Sequence, residues 1–301
     1  MSTVIIGAGM SGAIAAALDR EAEVLEAATE PPSNSHRAVL RFRTDRIGQA
    51  LNIPFRRVRV LKAVACDGAL ANYATPRAAN LYARKVTGTI QQRSIGDLSP
   101  VDRFIAPEDF HAQLLRLLGS RVHYGSPLTV ATMAHIPARY ISTIPLNQLC
   151  RILDIEHPPL ARAPIHVTRF DVADCDVFQT VYFPDPATPI YRASLTGSLL
   201  IVEATSAPDP GDFDDVAEVF GLDESALTKR DAGEQRYGKI TPLPDAQRKA
   251  LLHHLTEEFG IFSLGRFATW RNILLDDVYD DYFKVRAMMA LDSYDLKRSR
   301  V

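Results

Sequence analysis

Residues 4–26 read VIIGAGMSGAIAAALDREAEVLE, and this stretch decides the fold. It opens on the β-branched run 4–6, which has no polar alternation and is typical of a parallel strand buried on both faces. Glycines follow at once in a GxGxxG spacing, and the small residues of 13–18 predict a helix. A second short apolar run, 23–25, ends at Glu26. The stretch therefore predicts a strand, a glycine turn, a helix and a second strand.

The three glycines of this turn suit a bound dinucleotide. Gly7 allows the tight turn, Gly9 lets the backbone approach a diphosphate, and Gly12 lets the helix pack close to the strand. The helix begins at Met10 and Ser11, where free N–H groups and the positive end of the helix dipole favour an anion. We therefore predict that these five residues contact the diphosphate half of a dinucleotide.

An acid follows at the end of the second strand. Glu26 lies 19 residues beyond Gly7, close to the spacing of about 20 expected for an acid that accepts the ribose hydroxyls. Ala27 comes directly after it and belongs to the same predicted contact. A carboxylate here disfavours a 2′-phosphate, so NADP is the less favoured ligand. The spacing does not separate FAD from NAD, because both present an ADP half to the turn.

Composition narrows the class of protein. The chain has 301 residues, 47% of them hydrophobic, which is enough for one large domain or two closely connected ones. Its formal net charge of −2 favours neither nucleic acid nor a membrane surface as a bulk partner. No run approaches the roughly 20 apolar residues of a membrane span. Three widely spaced cysteines favour reduced thiols over a disulfide framework or a zinc site. We expect a cytoplasmic protein of undetermined oligomeric state.

The remaining segments predict a mixture of helices and strands. Alternation over 36–62 predicts strands with one solvent-exposed face, and the β-rich stretch 158–205 holds a hairpin turn at Thr196–Gly197. The spacing of apolar residues predicts helices over 107–118, 245–259 and 273–291. Further segments are interpreted as strands over 121–124, 128–130 and 140–144. Residues 80–88 are interpreted as a surface strand, with a place in the lining of the substrate cleft as the alternative. The acidic segment 209–215 is interpreted as a solvated loop that leads into a helix.

Two distant segments resemble one superfamily of flavoproteins. Residues 140–146, YISTIPL, look like the strand and turn that return the chain to the FAD domain in the flavin amine oxidase superfamily. Residues 265–270, GRFATW, followed by the DDV of 276–278, resemble the C-terminal flavin-binding segment of that superfamily. The order of the pieces most resembles the UDP-galactopyranose mutase branch. The resemblance implies that the dinucleotide is FAD.

The fold that this resemblance implies is α/β, with a Rossmann-type FAD-binding domain and an inserted, β-rich substrate domain. The FAD-binding domain is expected to be discontinuous, over 1–75, 120–150 and 235–301. The inserted substrate-binding domain is then expected over 76–119 and 151–234.

The resemblance also implies further cofactor contacts. In the superfamily the turn equivalent to Gly265–Arg266 meets the flavin, and the next helix, here with Asp277 and Val278, points its N-terminus at the flavin or the diphosphate. Thr143 lies in the return segment and joins the predicted contacts. Trp270 is expected to pack against the cofactor or the core.

A basic segment precedes the β-rich region. Between 37 and 62 a single acid, Asp45, stands against eight basic residues, which are Arg37, Arg41, Arg43, Arg46, Arg56, Arg57, Arg59 and Lys62. They fit the exposed face of a strand pair, and they equally fit the steering of an anionic substrate such as a nucleotide or nucleotide sugar. Arg37 stands apart, because related flavoproteins place a cation on the FAD diphosphate just past the ribose acid, and arginine suits bidentate phosphate recognition.

Three residues are candidates for the chemistry itself. Tyr191 and Arg192 lie in the β-rich stretch, and in folds of this kind the inserted sheet faces the flavin. Lys239 lies in a strand-like run, and amine oxidases of the superfamily often keep a lysine that holds water near the flavin. A structural or surface role is the alternative for all three. The sequence has no convincing Ser/His/Asp or Cys/His nucleophile pattern and no metal-ligand cluster, so redox chemistry falls to the flavin.

Several functions stay open at this point. The leading one is an FAD-dependent oxidoreductase of the amine or amino-acid oxidase type, acting on a substrate with an anionic, nucleotide-like part. A second is an isomerase like UDP-galactopyranose mutase, which uses reduced flavin. A third is a phage-type flavoenzyme that oxidises an amino-acid substituent on a hypermodified DNA base, with DNA as its partner. A non-catalytic dinucleotide-binding module is the last. The expected partner is a small-molecule or nucleotide-linked substrate, with no membrane.

Overall fold

The computed structural model describes residues 3–31, 39–66, 69–90, 94–136 and 138–298. Over these ranges the chain forms a five-stranded parallel sheet and a nine-stranded, mostly antiparallel sheet, with helices packed on both. This architecture confirms the predicted α/β fold class with a Rossmann-type unit and a β-rich part. Among the described helices, none has the length and apolar character needed to cross a membrane.

The strands of the described residues are β1 (Thr3–Ile6), β2 (Glu23–Leu25), β3 (Arg41–Phe42), β4 (Arg56–Cys66), β5 (Ala69–Ala71), β6 (Val101–Ile105), β7 (Val122–His123), β8 (Arg139–Ser142), β9 (Arg162–Val172), β10 (Val177–Tyr182), β11 (Ile190–Gly197), β12 (Leu199–Ala204), β13 (Leu227–Ile240) and β14 (Ile261–Ser263). The helices are α1 (Met10–Leu18), α2 (Arg46–Leu51), α3 (Pro76–Thr87), α4 (Phe110–Leu118), α5 (Val130–His135), α6 (Leu146–Ile152), α7 (Pro210–Phe220), α8 (Asp245–Phe259) and α9 (Leu275–Arg298).

The parallel sheet has the strand order β14-β8-β1-β2-β7. Because successive side chains of a strand point to opposite faces, Ile5 packs with α1, α4 and α9, while Val4 and Ile6 pack with α6 and α8. Burial on both faces explains why β1 carries apolar residues without alternation. The sheet therefore holds the glycine turn at the carboxyl end of its central strand.

The larger sheet follows the order β13-β9-β12-β11-β10-β4-β6-β3, with β5 paired to β4. Its neighbours are antiparallel except for the parallel pair of β4 and β10. One face packs with α7 through Val181 and Val202, and the opposite face packs with α3 through Tyr182 and Ile201. Part of this second face carries polar side chains and is left open toward the parallel sheet.

The structure confirms the predicted helices over 245–259 and 273–291 and the hairpin at Gly197, which has a φ of 67°. The interpretation of 80–88 as a surface strand is wrong, because these residues belong to α3. Thr75 caps that helix by accepting from the N–H of Ala78, and Pro76 occupies its first turn. The strand predicted over 128–130 is also wrong, since Thr129 caps α5 instead. The helix expected after the acidic segment 209–215 is present as α7, but it begins within that segment, with Asp209 as its cap.

The predicted division into two domains stays a prediction, and the sheets distribute the chain somewhat differently from its boundaries. Strands β3, β4 and β5 lie within the predicted cofactor segment 1–75, yet they pair in the larger sheet. Helix α4 lies within the predicted substrate segment 76–119, yet it packs on α1 beneath the parallel sheet. Pairing with strands far along the chain, rather than local sequence, decides which sheet each segment joins.

Replacing Leu114 tests the packing of α4 on α1. Leu114 is fully buried, so Leu114→Ala is expected to lower the free energy of unfolding by about 2–5 kcal/mol. Leu117 on the same helix is 54% exposed, and Leu117→Ala is expected to change that free energy by no more than about 0.5 kcal/mol. Urea unfolding followed by the fluorescence of the single tryptophan measures both, and equal losses would contradict this packing.

Candidate functional site

A cavity of about 1770 Å³ lies between the two sheets. At one end it is lined by the glycine turn after β1, and at the other by the polar part of the larger sheet. Segments close to both ends of the chain and from its middle therefore line one continuous space. Most of the residues predicted for cofactor and catalysis lie along it.

The glycine turn is built from close backbone approaches. Gly7 has a φ of 94°, and a Cβ on it would come within 2.9 Å of the Ile144 side chain. A Cβ on Gly12 would lie 1.9 Å from the carbonyl oxygen of Gly7, so no side chain fits there. A Cβ on Gly9, in contrast, would meet nothing within 4 Å, because Gly9 faces the open cavity together with Met10 and Ser11. The turn thus leaves free space where a ligand approaches the start of α1.

The acid after β2 lies beside this turn. One carboxylate oxygen of Glu26 accepts from the N–H of Ala8 at 2.7 Å, and the other accepts from the N–H of Ala28 at 2.8 Å. Glu26 lines the cavity, whereas Ala27 is exposed and does not. His111, which the sequence reading missed, is buried with its Nε2 2.8 Å from the Ala8 carbonyl oxygen. The carboxylate is therefore fixed at the edge of the cavity by backbone groups.

Two distant segments close on the turn. Thr143 lies just beyond β8, and its hydroxyl donates to the carbonyl oxygen of Ile6 at 2.8 Å. Gly265 has a φ of 90°, and a Cβ on it would come within 2.7 Å of the Ser11 hydroxyl. Thr143 and Arg266 line the cavity next to these contacts. The structure thus brings the return segment and the C-terminal segment to the start of α1.

Other predicted cofactor contacts lie elsewhere. Trp270 is buried in the core beside α6 and α8, donates from its indole N–H to the Thr241 carbonyl oxygen at 2.9 Å, and does not line the cavity. Asp277 accepts from the N–H of Leu274 at 2.8 Å near the start of α9 and likewise stays outside the lining. Val278 does line it. Arg37 lies outside the described residues.

The wall at the opposite end is organised by an irregularity in β11. The register between β11 and β12 shifts between Ile190 and Arg192, so that Tyr191 and Arg192 both face Glu203 on the neighbouring strand. The Tyr191 hydroxyl donates to one oxygen of Glu203 at 3.1 Å, and Arg192 Nε donates to the other. A β-bulge of this kind re-aims a side chain that strict alternation would send to the other face.

Charge and burial shift the pKa values of Tyr191 and Glu203 in this cluster. Burial together with the charge of Glu203 raises the pKa of Tyr191 well above its ordinary value, so the phenol stays protonated at neutral pH. Burial alone would raise the pKa of Glu203, but the charge and hydrogen bond of Arg192 hold it below its ordinary value. Lys239 Nζ lies 4.3 Å from the centre of the Tyr191 ring, as in a cation–π contact. All four residues line the cavity.

The basic segment divides into paired surface residues and cavity residues. Five ion pairs at the surface join Arg43 to Asp277, Arg46 to Asp280, Arg56 to Asp176, and both Arg57 and Arg59 to Asp102. Arg41 and Lys62 line the cavity instead. Arg41 donates to the Thr180 hydroxyl at 2.7 Å and to the carbonyl oxygen of Gln179 at 3.2 Å. The exposed-face interpretation therefore fits most of the segment, and the anion-steering interpretation fits these two.

The cavity carries an excess of positive charge. Its cationic lining residues are Arg41, Lys62, Lys85, Arg103, Arg162, Arg192, Lys239 and Arg266, against the acids Glu26, Glu203 and Glu234. The carboxylates of Glu26 and Glu203 already accept hydrogen bonds from the protein. Across the described ranges, no group of His, Cys, Asp and Glu side chains is arranged to hold a metal ion. An anionic ligand is what this lining favours.

Comparison with known proteins shows similarity in structure but not in sequence. No model of a protein family matches the chain. No curated protein matches it either. Among solved structures, reduced UDP-galactopyranose mutase superimposes with a TM-score of 0.56 at 13% identity, over 90% of this chain and 89% of that one.

Two further structures show the same similarity. A geranylgeranyl bacteriochlorophyll reductase-like protein from Thermoplasma acidophilum gives a TM-score of 0.54 at 13% identity, over 98% of this chain and 79% of that one. Aklavinone-11 hydroxylase in complex with FAD and aklavinone gives 0.51 at 12% identity, over 96% and 62%. At these identities the likeness shows the fold, which this chain shares with the three structures.

Replacing Glu203 tests the buried cluster. Glu203→Gln leaves Arg192 without its counter-charge, so we expect a loss of about 1–3 kcal/mol in the free energy of unfolding at pH 7. Glu234→Gln is the matched control, because Glu234 lines the same cavity but is exposed.

The same variant carries a pH dependence. The folded pKa of Glu203 is lowered, so its stabilisation is present above the ordinary value of 4.5 and is lost as pH falls through the folded pKa. The difference between wild type and Glu203→Gln in urea unfolding is therefore expected to narrow below pH 4.5. A difference that grows on acidification would contradict the assignment.

Proposed function

We propose that this chain is an FAD-dependent oxidoreductase that acts on a small molecule with an anionic, nucleotide-like part. The observation that carries the proposal is the continuity of the cavity, which joins the glycine turn to the wall formed by Tyr191, Arg192, Glu203 and Lys239. A cofactor bound at one end would extend toward the charged groups at the other. The shared fold of FAD-binding enzymes supports this assignment.

The residues at the turn fit FAD. Gly9 leaves open space beside the start of α1, where backbone N–H groups suit a diphosphate. Glu26 is fixed at the cavity edge, where its carboxylate would accept from ribose hydroxyls. Arg266 and Val278 line the cavity on the far side of the turn and would contact the flavin half. When bound, FAD supplies the acceptor for the electrons and hydride removed from a substrate.

The residues of the opposite wall have different proposed roles. Tyr191 is kept protonated and donates to Glu203, so it positions that carboxylate and does not serve as a base. Arg192, held by Glu203, keeps a positive charge at the wall and orients an anionic group. Lys239 is the residue that we propose holds or moves a proton at Nζ, next to the Tyr191 ring.

Oxidation of an amine or amino acid is the reaction that we propose first, on the resemblance of 140–146 and 265–270 to the flavin amine oxidase superfamily. The excess of cations in the cavity disfavours a protonated amine. The amine would therefore enter neutral, and the anionic part of the same substrate would offset the cationic lining.

A redox-neutral isomerase is the second candidate. The length of the cavity and its cationic lining also suit a nucleotide-sugar diphosphate, and UDP-galactopyranose mutase shares the fold. The third candidate, oxidation of a substituent on a DNA base, has less support. The surface arginines that would meet DNA phosphates are paired with Asp102, Asp176, Asp277 and Asp280.

Cofactor binding is tested at Gly9. Gly9→Val puts a side chain into the open space beside α1, and its φ of −64° accepts a side chain without strain, so the fold is expected to survive. We expect FAD affinity to fall at least about tenfold, while the FAD-free protein loses no more than a few degrees in melting temperature, because Gly9 is the N-cap of α1 and valine is a poorer cap. Gly211→Ala, which also meets nothing within 4 Å and lies outside the cavity lining, is the control. Flavin fluorescence and absorbance measure binding; wild type that takes up no FAD would refute the proposal.

Turnover separates the candidate reactions. Peroxide release from amines or amino acids under air supports the oxidase. Turnover of a UDP-sugar only after the flavin has been reduced, without oxygen uptake, supports the isomerase instead. Oxidation only of a duplex that carries the modified base would point to the third function.

Lys239→Met is expected to lower kcat about 100-fold or more while FAD stays bound, because the proton-handling group is removed. Lys229→Met, on the same strand but exposed, is the matched control. Equal kcat in the two variants would remove Lys239 from the mechanism.

A further inference from the structure

Cationic side chains line up across one face of the larger sheet. Arg41 on β3, Arg103 on β6, Lys62 on β4 and Arg192 on β11 all line the cavity, and we call these four residues the cationic row. Strand pairing puts them on one face. Lys62 is in register with Thr180, and Thr180 with Ser194, two residues from Arg192. Arg103 is in register with Val58, four residues before Lys62, and Arg41 with Ile105, two residues beyond Arg103. The row thus spans several adjacent strands.

The row lacks matching negative charge. Arg192 is paired with Glu203, the acid of the lining on this part of the face. The other three donate to neutral oxygens in the described part of the chain: Arg41 to Thr180 and Gln179, Lys62 to the Asp97 carbonyl oxygen, and Arg103 to the Asp102 carbonyl oxygen. Lys62 also feels the charge of Asp97, and Arg41 feels that of Glu203, which Arg192 already pairs. Positive charge is therefore concentrated here beyond what the protein itself neutralises.

This arrangement disfavours the charged form of Arg41. Burial, together with the nearby charges of Arg192 and Arg103, lowers the pKa of Arg41 to about 10. Its Nε is buried and meets no acceptor among the described residues. A bound anion would relieve both the repulsion within the row and the unmet donor.

From this geometry we infer that the cationic row is a subsite for a phosphate group of the substrate. Several cations from different strands, together with the hydroxyls of Thr180 and Ser194, match a dianion with several acceptor oxygens better than a carboxylate with one charge. The inference deepens the proposed function and rests on it, because that proposal is what makes the bound phosphate part of a substrate. It directs the anionic part of the substrate to the face formed by β3, β6 and β4.

Inorganic phosphate, titrated calorimetrically into FAD-loaded protein, tests the subsite, because FAD then fills the diphosphate cradle. Arg103→Gln is the main variant, since Arg103 is bonded only to a neighbouring carbonyl among the described contacts and its loss spares the buried cluster. Arg57→Gln is the matched control: it removes the same charge from the opposite, exposed face of the sheet. We expect phosphate affinity to fall about tenfold or more in Arg103→Gln, to recover in part in Arg103→Lys, and to stay unchanged in Arg57→Gln.

Three results would overturn the inference. They are no phosphate binding by wild type at 10 mM or so, equal affinities in Arg103→Gln and Arg57→Gln, or tighter binding of acetate than of phosphate. The phosphate titration can succeed or fail independently of the test of FAD binding. A protein that takes up no FAD is titrated in the same way, and the comparison of Arg103→Gln with Arg57→Gln still reports on the row alone. FAD uptake without phosphate binding would leave the flavoenzyme proposal intact and remove only the subsite.

Discussion

The carbonyl oxygen of Gly7 comes so close to α1 that residue 12 has no room for a side chain. That approach sets the angle at which the helix leaves the sheet, and other contacts depend on it. Thr143 then bonds the end of β1, and Gly265 comes up against Ser11. Segments more than 100 residues apart therefore meet at one point only because side chains are missing there. The end of the cavity at the glycine turn is a product of this backbone contact.

The larger sheet contributes what the parallel sheet lacks. The parallel sheet offers backbone N–H groups and one fixed carboxylate, which suit binding but not chemistry. The larger sheet offers phenol, guanidinium and ammonium groups on a face whose opposite side is buried under α7. One sheet thus offers groups that would fix a ligand in position, and the other offers the charged wall. Neither sheet alone encloses the cavity.

Sequence patterns predicted the features that depend on interactions between residues close together in the chain. The first strand, its glycine turn and α8 were all predictable, because spacing, helix propensity and caps act over a few residues. Helix α3 was missed although Thr75 and Gly88 signalled its two ends. Glu203 was not predictable, since its importance comes from the strand register that sets it opposite Tyr191. The surface arginines were ambiguous for a similar reason: the partner of Arg56 lies 120 residues away.

The bulge in β11 also changes how the strand can be compared with others. The alternation of side chains between the two faces of the sheet is reversed at Tyr191. Odd-numbered and even-numbered residues of β11 therefore exchange faces there. A deletion of one residue here would restore regular alternation and force the strand to keep either the phenol or the guanidinium on the cavity side, but not both. Sequence alignments of this region that ignore the extra residue will pair inward positions with outward ones. The number of residues between Ile190 and Ala193 therefore decides whether Tyr191 and Arg192 can both face the cavity.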